Sequence, residues 1–235
     1  MKVAILCGGK GTRLKELTEE IPKPLVEIGG KPILWHIMKI YSHYGFNDFI
    51  LCLGYKGNLI EEYFRNNSNK EQRWNIEFVD TEENSNKGQR IKKIENYIKE
   101  DNFFVAYGDD VSDVNIKKVL EQHMKNNKIV TLTAVNPESQ FGIMDINHNN
   151  EIIEFKEKPK LDHWINGGFF VFNKRIFDYL KDNCDLETDA FKALVKEKQI
   201  TAFKHDGFWK CMNTFKDTME LNELWDNDKA PWKVE

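Results

Sequence analysis

Glycine and basic residues are concentrated directly after the first apolar run of the chain. Residues 2–6 (KVAIL) have the length and composition of a buried parallel strand. Residues 7–13 (CGGKGTR) follow, and a second basic segment, residues 22–24 (PKP), comes soon afterwards. Glycine adopts positive φ angles and lets backbone N–H groups approach a ligand closely. Such N–H groups, together with the basic side chains of both segments, could cradle a polyphosphate.

The pattern matches neither of two familiar phosphate-binding motifs, G-x-x-x-x-G-K-[ST] and G-x-G-x-x-G. A glycine turn on a basic surface is the alternative, and the three glycines alone would favour it. The arginine and the proline-flanked lysine favour a nucleotide site instead. We therefore predict that a nucleotide is bound by Leu6, Gly8, Gly9, Lys10, Gly11 and Thr12, with Arg13 and Lys23 beside its phosphates.

A second candidate lies where another apolar run ends. Residues 102–107 (NFFVAY) predict a buried strand, and Gly108, Asp109 and Asp110 follow it. Because ligands of open α/β sheets bind at the carboxyl ends of strands, this acidic turn and the glycine segment should share one edge. Mg²⁺ takes few protein carboxylates, so Asp109 and Asp110 could hold it. A solvated acidic turn is the alternative, but the order of strands and motifs favours a metal site beside the nucleotide, with Gly108 among the residues that bind the nucleotide.

The rest of the chain alternates strand and helix patterns, which predicts a parallel sheet with helices on both faces. Strands are predicted at 47–54, 74–79, 129–135 and 200–205, an apolar run at 169–172, and a hairpin at 141–146 and 151–155. Helices are predicted at about 32–44, 58–66, 88–99, 114–125, 175–180, 187–198 and 215–225, and a polar loop at 66–73.

The composition of the chain limits the classes of function that it can have. The 235 residues carry 34 Lys and Arg against 38 Asp and Glu, mixed along the chain, which argues against a dedicated nucleic-acid binder. No apolar run approaches the roughly 20 residues that span a bilayer, and no signal peptide pattern opens the chain, so we expect a cytoplasmic protein with no membrane partner. The four cysteines are scattered and predict neither a zinc site nor a disulfide framework.

The segment from Gly8 to Leu14, followed by residues 22–24, fits the pattern G-G-x-G-[ST]-R-L…P-K-P and resembles the signature of the sugar nucleotidyltransferases. The resemblance implies an α/β fold with a Rossmann-like, mixed, mostly parallel sheet flanked by helices. It also implies that Arg13 and Lys23 are the catalytic residues at the reacting phosphates. It implies one domain over 1–235, with a nucleotide-binding half at about 1–110 and an acceptor-binding half at about 111–235. It also assigns the acceptor to Glu157, Lys158, Asn166 and Gly167, which would otherwise be interpreted as an exposed charged turn and a glycine β-bulge.

Longer runs at 26–38, 166–171, 208–209 and 229–233 are similar to the glucose-1-phosphate cytidylyltransferases of that family. This similarity implies CTP as donor, Mg²⁺ as cofactor, a hexose 1-phosphate such as glucose 1-phosphate as acceptor, and a CDP-activated product for capsule or surface polysaccharide biosynthesis. It further implies that Ser85 and Arg90 contact CTP, with Arg90 at the cytosine edge or the ribose, and that the chain forms a homo-oligomer.

The chain departs from the family pattern near the proposed metal. It has Met212-Asn213-Thr214 where the family has Met-Asp-Thr, and Gly108-Asp109-Asp110 where the family has Gly-Asp-Gly. Asn213 is then a weaker, neutral metal ligand, which Asp110 could replace. The segments near 64–74 and 184–189 are also short. One alternative is therefore a non-sugar acceptor, namely phosphoglutamine, giving CDP-glutamine for capsule phosphoramidate synthesis. Another is a regulatory subunit that binds the nucleotide without catalysis.

Overall fold

A mixed sheet of seven strands forms the centre of the part of the chain that the computed structural model describes, residues 1–14, 18–67, 73–139 and 141–234. The strands are β1 (Val3–Leu6), β2 (Glu27–Ile28), β3 (Lys31–Pro32), β4 (Asp48–Leu53), β5 (Asn75–Asp80), β6 (Asn102–Tyr107), β7 (Asp110–Ser112), β8 (Val130–Val135), β9 (Ile143–Ile146), β10 (Ile152–Lys156), β11 (Ile165–Asn173), β12 (Ile200–His205) and β13 (Trp209–Cys211). The α-helices are α1 (Ile33–His43), α2 (Gly57–Asn66), α3 (Lys87–Lys93), α4 (Ile116–Asn126), α5 (Lys192–Lys196) and α6 (Phe215–Asp226).

The order of the large sheet is β12-β8-β11-β6-β1-β4-β5. The pairs β12–β8, β6–β1, β1–β4 and β4–β5 are parallel, whereas β11 runs antiparallel to both of its neighbours. The prediction of a mixed, mostly parallel sheet is therefore confirmed. The sheet runs through both predicted halves of the chain without interruption, because β11 pairs with β6.

Helices cover both faces of this sheet because its central strands are apolar on both sides. In β1, Val3 and Ile5 belong to one hydrophobic cluster and Ala4 to the other. All three are fully buried. Burying a side chain such as Ile5 stabilises the fold by about 1.5–3 kcal/mol. A strand that is buried on both faces reads as a continuous apolar run rather than an alternating one, which explains why β1 could be predicted.

The strand order reverses next to β1. The chain runs from β1 to β4 and β5 on one side, and then returns to β6 on the other side of β1. The loops that follow β1 and β6 therefore leave the same edge of the sheet in opposite directions and open a crevice there. Gly8 follows β1 and Gly108 follows β6, so both predicted ligand segments lie at this point.

Several predicted elements were wrong in type or length. The helix predicted to Lys99 ends at Lys93, and a single 3₁₀ turn (Glu95–Tyr97) follows, since Asn96 and Tyr97 are weak helix formers. The helix predicted at 187–198 is a π-helical turn (Leu186–Phe191) continued by α5, and the one at 175–180 is a 3₁₀ helix (Lys174–Asp178). Strands β7 and β13 were not predicted. Most of the polar loop predicted at 66–73 lies outside the described residues.

The predicted hairpin, β9 and β10, forms a separate two-stranded sheet. Its large apolar side chains are exposed on both faces, and they are Ile143, Met144, Ile146, Ile152, Ile153 and Phe155. Among the described residues, helices that combine the length and the apolar character of a membrane span are absent.

Candidate active site

A cavity of about 750 Å³ opens at the crevice between β1 and β6. Its volume is typical of sites for small molecules and cofactors. Most of the predicted site residues line it: Leu6, Gly8, Gly9, Lys10, Gly11, Thr12, Arg13, Lys23, Ser85, Arg90, Gly108, Asp109, Asp110, Asn166 and Asn213. Residues separated by up to 207 positions in the chain (Leu6 to Asn213) thus meet at one edge of the sheet.

The glycines of the first loop are required by close packing. A Cβ atom on Gly8 would lie 1.9 Å from Nη1 of Arg90, so only glycine fits beside that guanidinium. Gly11 has a φ of +63°, and a Cβ there would lie 2.9 Å from Cβ of Lys23. The loop therefore passes close to both basic side chains, and its backbone faces the cavity.

Arg90 fastens this loop to its neighbours. Its Nη1 atom donates to the carbonyl oxygens of Leu53 and Glu82 and to Oγ1 of Thr81, at 3.1, 2.8 and 2.8 Å. Its Nη2 atom donates to the carbonyl oxygens of Gly8 and Glu83, both at 2.9 Å. Because these two nitrogens already have five oxygen partners, the contacts of Arg90 give it a positioning role. Its predicted contact with the cytosine or ribose stays a prediction.

Replacing Arg90 by lysine tests this role. We expect a lower melting temperature and a higher Kd for the nucleotide, because lysine cannot satisfy all five oxygens and each buried unpaired group costs about 1–3 kcal/mol. Thermal unfolding and nucleotide titration measure the two effects. Arg175→Lys, at an exposed arginine, is the control. Unchanged values for Arg90→Lys would contradict the positioning role.

Lys23, Asp109 and Asn213 form a charged contact on the floor of the cavity. Nζ of Lys23 donates to Oδ2 of Asp109 at 2.5 Å and to Oδ1 of Asn213 at 3.0 Å. The lysine side chain is only 9% exposed, whereas that of Asp109 is 24% exposed. Lys23 lies in a 3₁₀ turn between Pro22 and Pro24, which limits its backbone freedom. Two oxygens thus converge on one positive charge, which is the arrangement that a cation site needs.

Asp110 lies behind this contact and is almost completely buried. Its Oδ1 atom has no hydrogen-bond partner among the described residues. Burial raises the pKa of Asp110 well above its usual range, and the neighbouring Asp109 carboxylate adds to the effect. Cys211 lies directly opposite Asp110 in the β7–β13 pair. Burial, and then the charge of Asp110, also raises the pKa of the Cys211 thiol.

The far side of the cavity is polar and aromatic. Nδ2 of Asn166 donates to Oη of Tyr107 at 2.9 Å, and Tyr107 donates to Glu187. Burial, and then Glu187, raises the pKa of Tyr107. Nε1 of Trp209 donates to the carbonyl of Gly167 at 2.9 Å. The register of β11 against β8 shifts between Asn166 and Phe170, and Asn166 lines the cavity.

The structure does not bring all predicted acceptor residues to the cavity. Glu157 and Lys158 are exposed at the end of β10 and are not part of its lining, and Gly167 contacts Trp209 without lining it. Sequence reasoning missed Tyr107, Trp209 and Cys211, which do line it. Tyr107 ends β6 and could have been found from its position beside Gly108. Trp209 and Cys211 lie on β13, and the sequence around this strand does not indicate which strand it pairs with.

The comparisons with known proteins all indicate the same family. The model of the family described as nucleotidyl transferase matches residues 2–227. The glucose-1-phosphate cytidylyltransferase of Salmonella typhimurium is 44% identical over an alignment of 256 positions, which covers 100% of this chain and 99% of that protein. The probable glucose-1-phosphate cytidylyltransferase of Bacillus subtilis is 41% identical over an alignment of 254 positions, which covers 100% of both chains.

Solved structures agree with the fold. The crystal structure of HddC from Yersinia pseudotuberculosis superimposes with a TM-score of 0.74 at 28% identity, covering 95% of this chain and 99% of that one. A putative glucose-1-phosphate thymidylyltransferase from Bacillus anthracis superimposes with a TM-score of 0.77 at 20% identity, covering 100% and 97%, and supports the fold alone. The family match over nearly the whole chain and these full-length relatives lead to one conclusion: the chain belongs to the nucleotidyl transferase family.

Proposed function

We propose that this enzyme transfers the cytidylyl group of CTP to the phosphate of a hexose 1-phosphate, with glucose 1-phosphate as the first candidate. The products are a CDP-hexose and pyrophosphate. The observation that carries the proposal is the 44% identity to a glucose-1-phosphate cytidylyltransferase over the whole chain. None of the comparisons favours phosphoglutamine as the acceptor. The retention of Arg13, Lys23 and Asp109 at one cavity speaks against a non-catalytic subunit.

The reaction joins two phosphates. An oxygen of the acceptor phosphate attacks the α-phosphorus of CTP, the new P–O bond forms, and the bond to the leaving pyrophosphate breaks. The protein contributes positioning and charge stabilisation rather than covalent chemistry. In this proposal the glycine loop and Arg13 hold the triphosphate. Lys23 stabilises the charge that develops on the reacting phosphates.

A divalent ion belongs to the proposal, and the residues present fit one. Asp109 and Asn213 already direct an oxygen each at the Lys23 ammonium, and buried Asp110 has an oxygen without a partner. Asp109 and Asn213, with Asp110 behind them, would hold the ion, for which Mg²⁺ is the candidate. Such an ion neutralises charge on the phosphates when it is bound. Ser85 is proposed to contact CTP and Asn166 to contact the sugar, whereas Glu157, Lys158 and Gly167 lie outside the cavity lining.

Pyrophosphate release tests the proposed reaction. The purified protein receives CTP and Mg²⁺ with one acceptor at a time: glucose 1-phosphate, other hexose 1-phosphates, or phosphoglutamine. We expect the fastest release with a hexose 1-phosphate. Release with phosphoglutamine alone would overturn the sugar acceptor. Normal CTP binding without release for any acceptor would instead favour the regulatory subunit.

Asn213→Asp tests the metal ligands. The new carboxylate adds a negative charge beside Asp109, so we expect the Mg²⁺ concentration for half-maximal activity to fall by about tenfold, or ~1.4 kcal/mol. A magnesium titration of the rate at saturating CTP measures it. Asn227→Asp, at the exposed end of α6, is the control. An unchanged magnesium requirement would mean that Asn213 does not face the ion.

The exposed hairpin supports the expected homo-oligomer. An isolated two-stranded sheet is marginally stable in water, and β9 and β10 expose apolar side chains on both faces. We propose that a second copy of the chain covers them. Ile153→Glu combined with Phe155→Glu should then lower the mass measured by light scattering to that of one chain, 27.7 kDa. A wild-type protein that already has this mass would contradict the proposal.

A further inference from the structure

Three side chains that can bind metals meet at the floor of the cavity. Asp109, Asp110 and Cys211 each offer one ligand atom, and these atoms all lie within 4.8 Å of one another. The backbone fixes this arrangement in two places. Cys211 is the register partner of Asp110 in the β7–β13 pair, and the N–H of Met212 donates to the carbonyl of Asp109 at 2.9 Å. Asp110 and Cys211 are therefore held on short paired strands, and Asp109 lies in the turn directly before β7.

Asp110 is incompletely satisfied where it stands. The residue is only 3% exposed, it lines the cavity, and its Oδ1 atom has no partner among the described residues. A buried carboxylate oxygen without a partner is costly, whereas a bound cation would satisfy it. Lys23 does not do so, because its Nζ donates to Asp109 and Asn213.

The space around this carboxylate depends on a glycine. Gly168 has a φ of +77°, and a Cβ atom there would lie 2.3 Å from Oδ2 of Asp110. Any larger residue would press on the carboxylate, so glycine at this position keeps room for it beside the cavity.

We propose that Asp109, Asp110 and Cys211 bind one divalent ion of borderline softness, of the Zn²⁺ or Co²⁺ class, and leave its fourth position open to the cavity. A sulfur ligand selects such ions over Mg²⁺, which prefers oxygen. Bonds of about 2.3 Å to sulfur and about 2.0–2.2 Å to oxygen place tetrahedral ligands roughly 3.5 Å apart. Ligand atoms within 4.8 Å of one another reach that spacing by shifts of about 1 Å.

Binding exchanges a proton for the metal. The S–H bond of Cys211 and any O–H bond of the Asp110 carboxyl group break, the bonds from sulfur and oxygen to the metal form, and the protons leave to the buffer. The proposal rests on the proposed function in that Asp109 and Asp110 are shared with the proposed Mg²⁺ site. The softer ion competes with Mg²⁺ for both residues, and at Asp109 it also competes with the Lys23 ammonium. Zn²⁺ therefore lowers the rate that Mg²⁺ supports.

Cobalt titration of the metal-free, full-length protein tests the site. Co²⁺ bound to a thiolate gives a charge-transfer band in the near ultraviolet. We expect this band to saturate at one equivalent, to disappear in Cys211→Ser, and to need at least tenfold more Co²⁺ in Asp110→Asn. Cys184→Ser is the matched control, because Cys184 is a buried thiol outside the cavity lining. Absence of the band in the wild type, or its persistence in Cys211→Ser, overturns the proposal.

A second measurement uses only the wild-type protein, so it tests the site even if the variants fail to fold. At a pH at which Cys211 of the metal-free protein is alkylated, Zn²⁺ should protect it, read by mass spectrometry of its peptide, while Mg²⁺ should not. Equal alkylation with and without Zn²⁺ overturns the proposal. Pyrophosphate release with CTP, glucose 1-phosphate and Mg²⁺ is followed in the same preparation. Release without a cobalt band refutes only the thiolate site, whereas a band without release refutes only the proposed reaction.

Discussion

Lys23→Ala should lower kcat by on the order of 10²–10³-fold and change the Kd for the nucleotide much less. The side chain is 9% exposed and is held in one place by Asp109 and Asn213. A fixed charge beside the reacting phosphates needs no rearrangement during the reaction, and removing one such donor costs about 2.7–4 kcal/mol. Single-turnover rates at saturating CTP separate this effect from binding.

The matched control for this variant is Lys2→Ala. Lys2 is a partly buried lysine paired with Glu77, and it does not line the cavity. We expect it to leave kcat unchanged. Asp109 remains partly exposed, so water can replace the lost ammonium and the Lys23→Ala protein should still fold. A Lys23→Ala enzyme with the wild-type kcat would remove Lys23 from the chemistry.

Asp109→Asn should raise the Mg²⁺ concentration for half-maximal activity by at least about tenfold. The substitution keeps the shape of the side chain but replaces a charged oxygen ligand by a neutral one, which binds Mg²⁺ more weakly. It also removes the charge that Lys23 faces at 2.5 Å. A magnesium titration of the initial rate measures the change.

Asp113→Asn controls for the loss of an acidic group near this edge of the sheet. Asp113 pairs with His205 at 2.9 Å and does not line the cavity. Normal magnesium dependence of Asp109→Asn would mean that Asp110 or another group holds the ion.

Comparing Lys23→Ala, Asp109→Asn and the double variant gives the coupling energy between the two side chains, because the effects of substituting residues in direct contact are not additive.

The central part of the site could be predicted from the sequence because its signals are local. Leu6 and Tyr107 each end an apolar run, and the glycines or aspartates that follow must lie at the carboxyl edge of the sheet. The parallel order then places the two loops side by side. Lys23 could be assigned through the P-K-P segment that resembles the family signature, and its flanking prolines restrict its backbone.

Contacts between distant backbone segments could not be predicted. Arg90 binds carbonyl oxygens, which every residue carries, so side-chain identity gives no indication of its partners. The pairing of Cys211 with Asp110 joins strands of three residues each, too short for a recognisable alternation. The scattered cysteines accordingly predicted no metal site, whereas the structure places one of them beside two carboxylates.

Competition among nucleotides tests the proposed activity most directly. Equal concentrations of CTP, UTP, TTP, GTP and ATP are incubated with the protein, Mg²⁺ and glucose 1-phosphate, and the nucleotide sugars are identified by mass spectrometry. The proposed function predicts CDP-glucose as the main product, formed only when the protein is present. A different nucleoside diphosphate sugar as the main product, or none from any nucleotide, would contradict it.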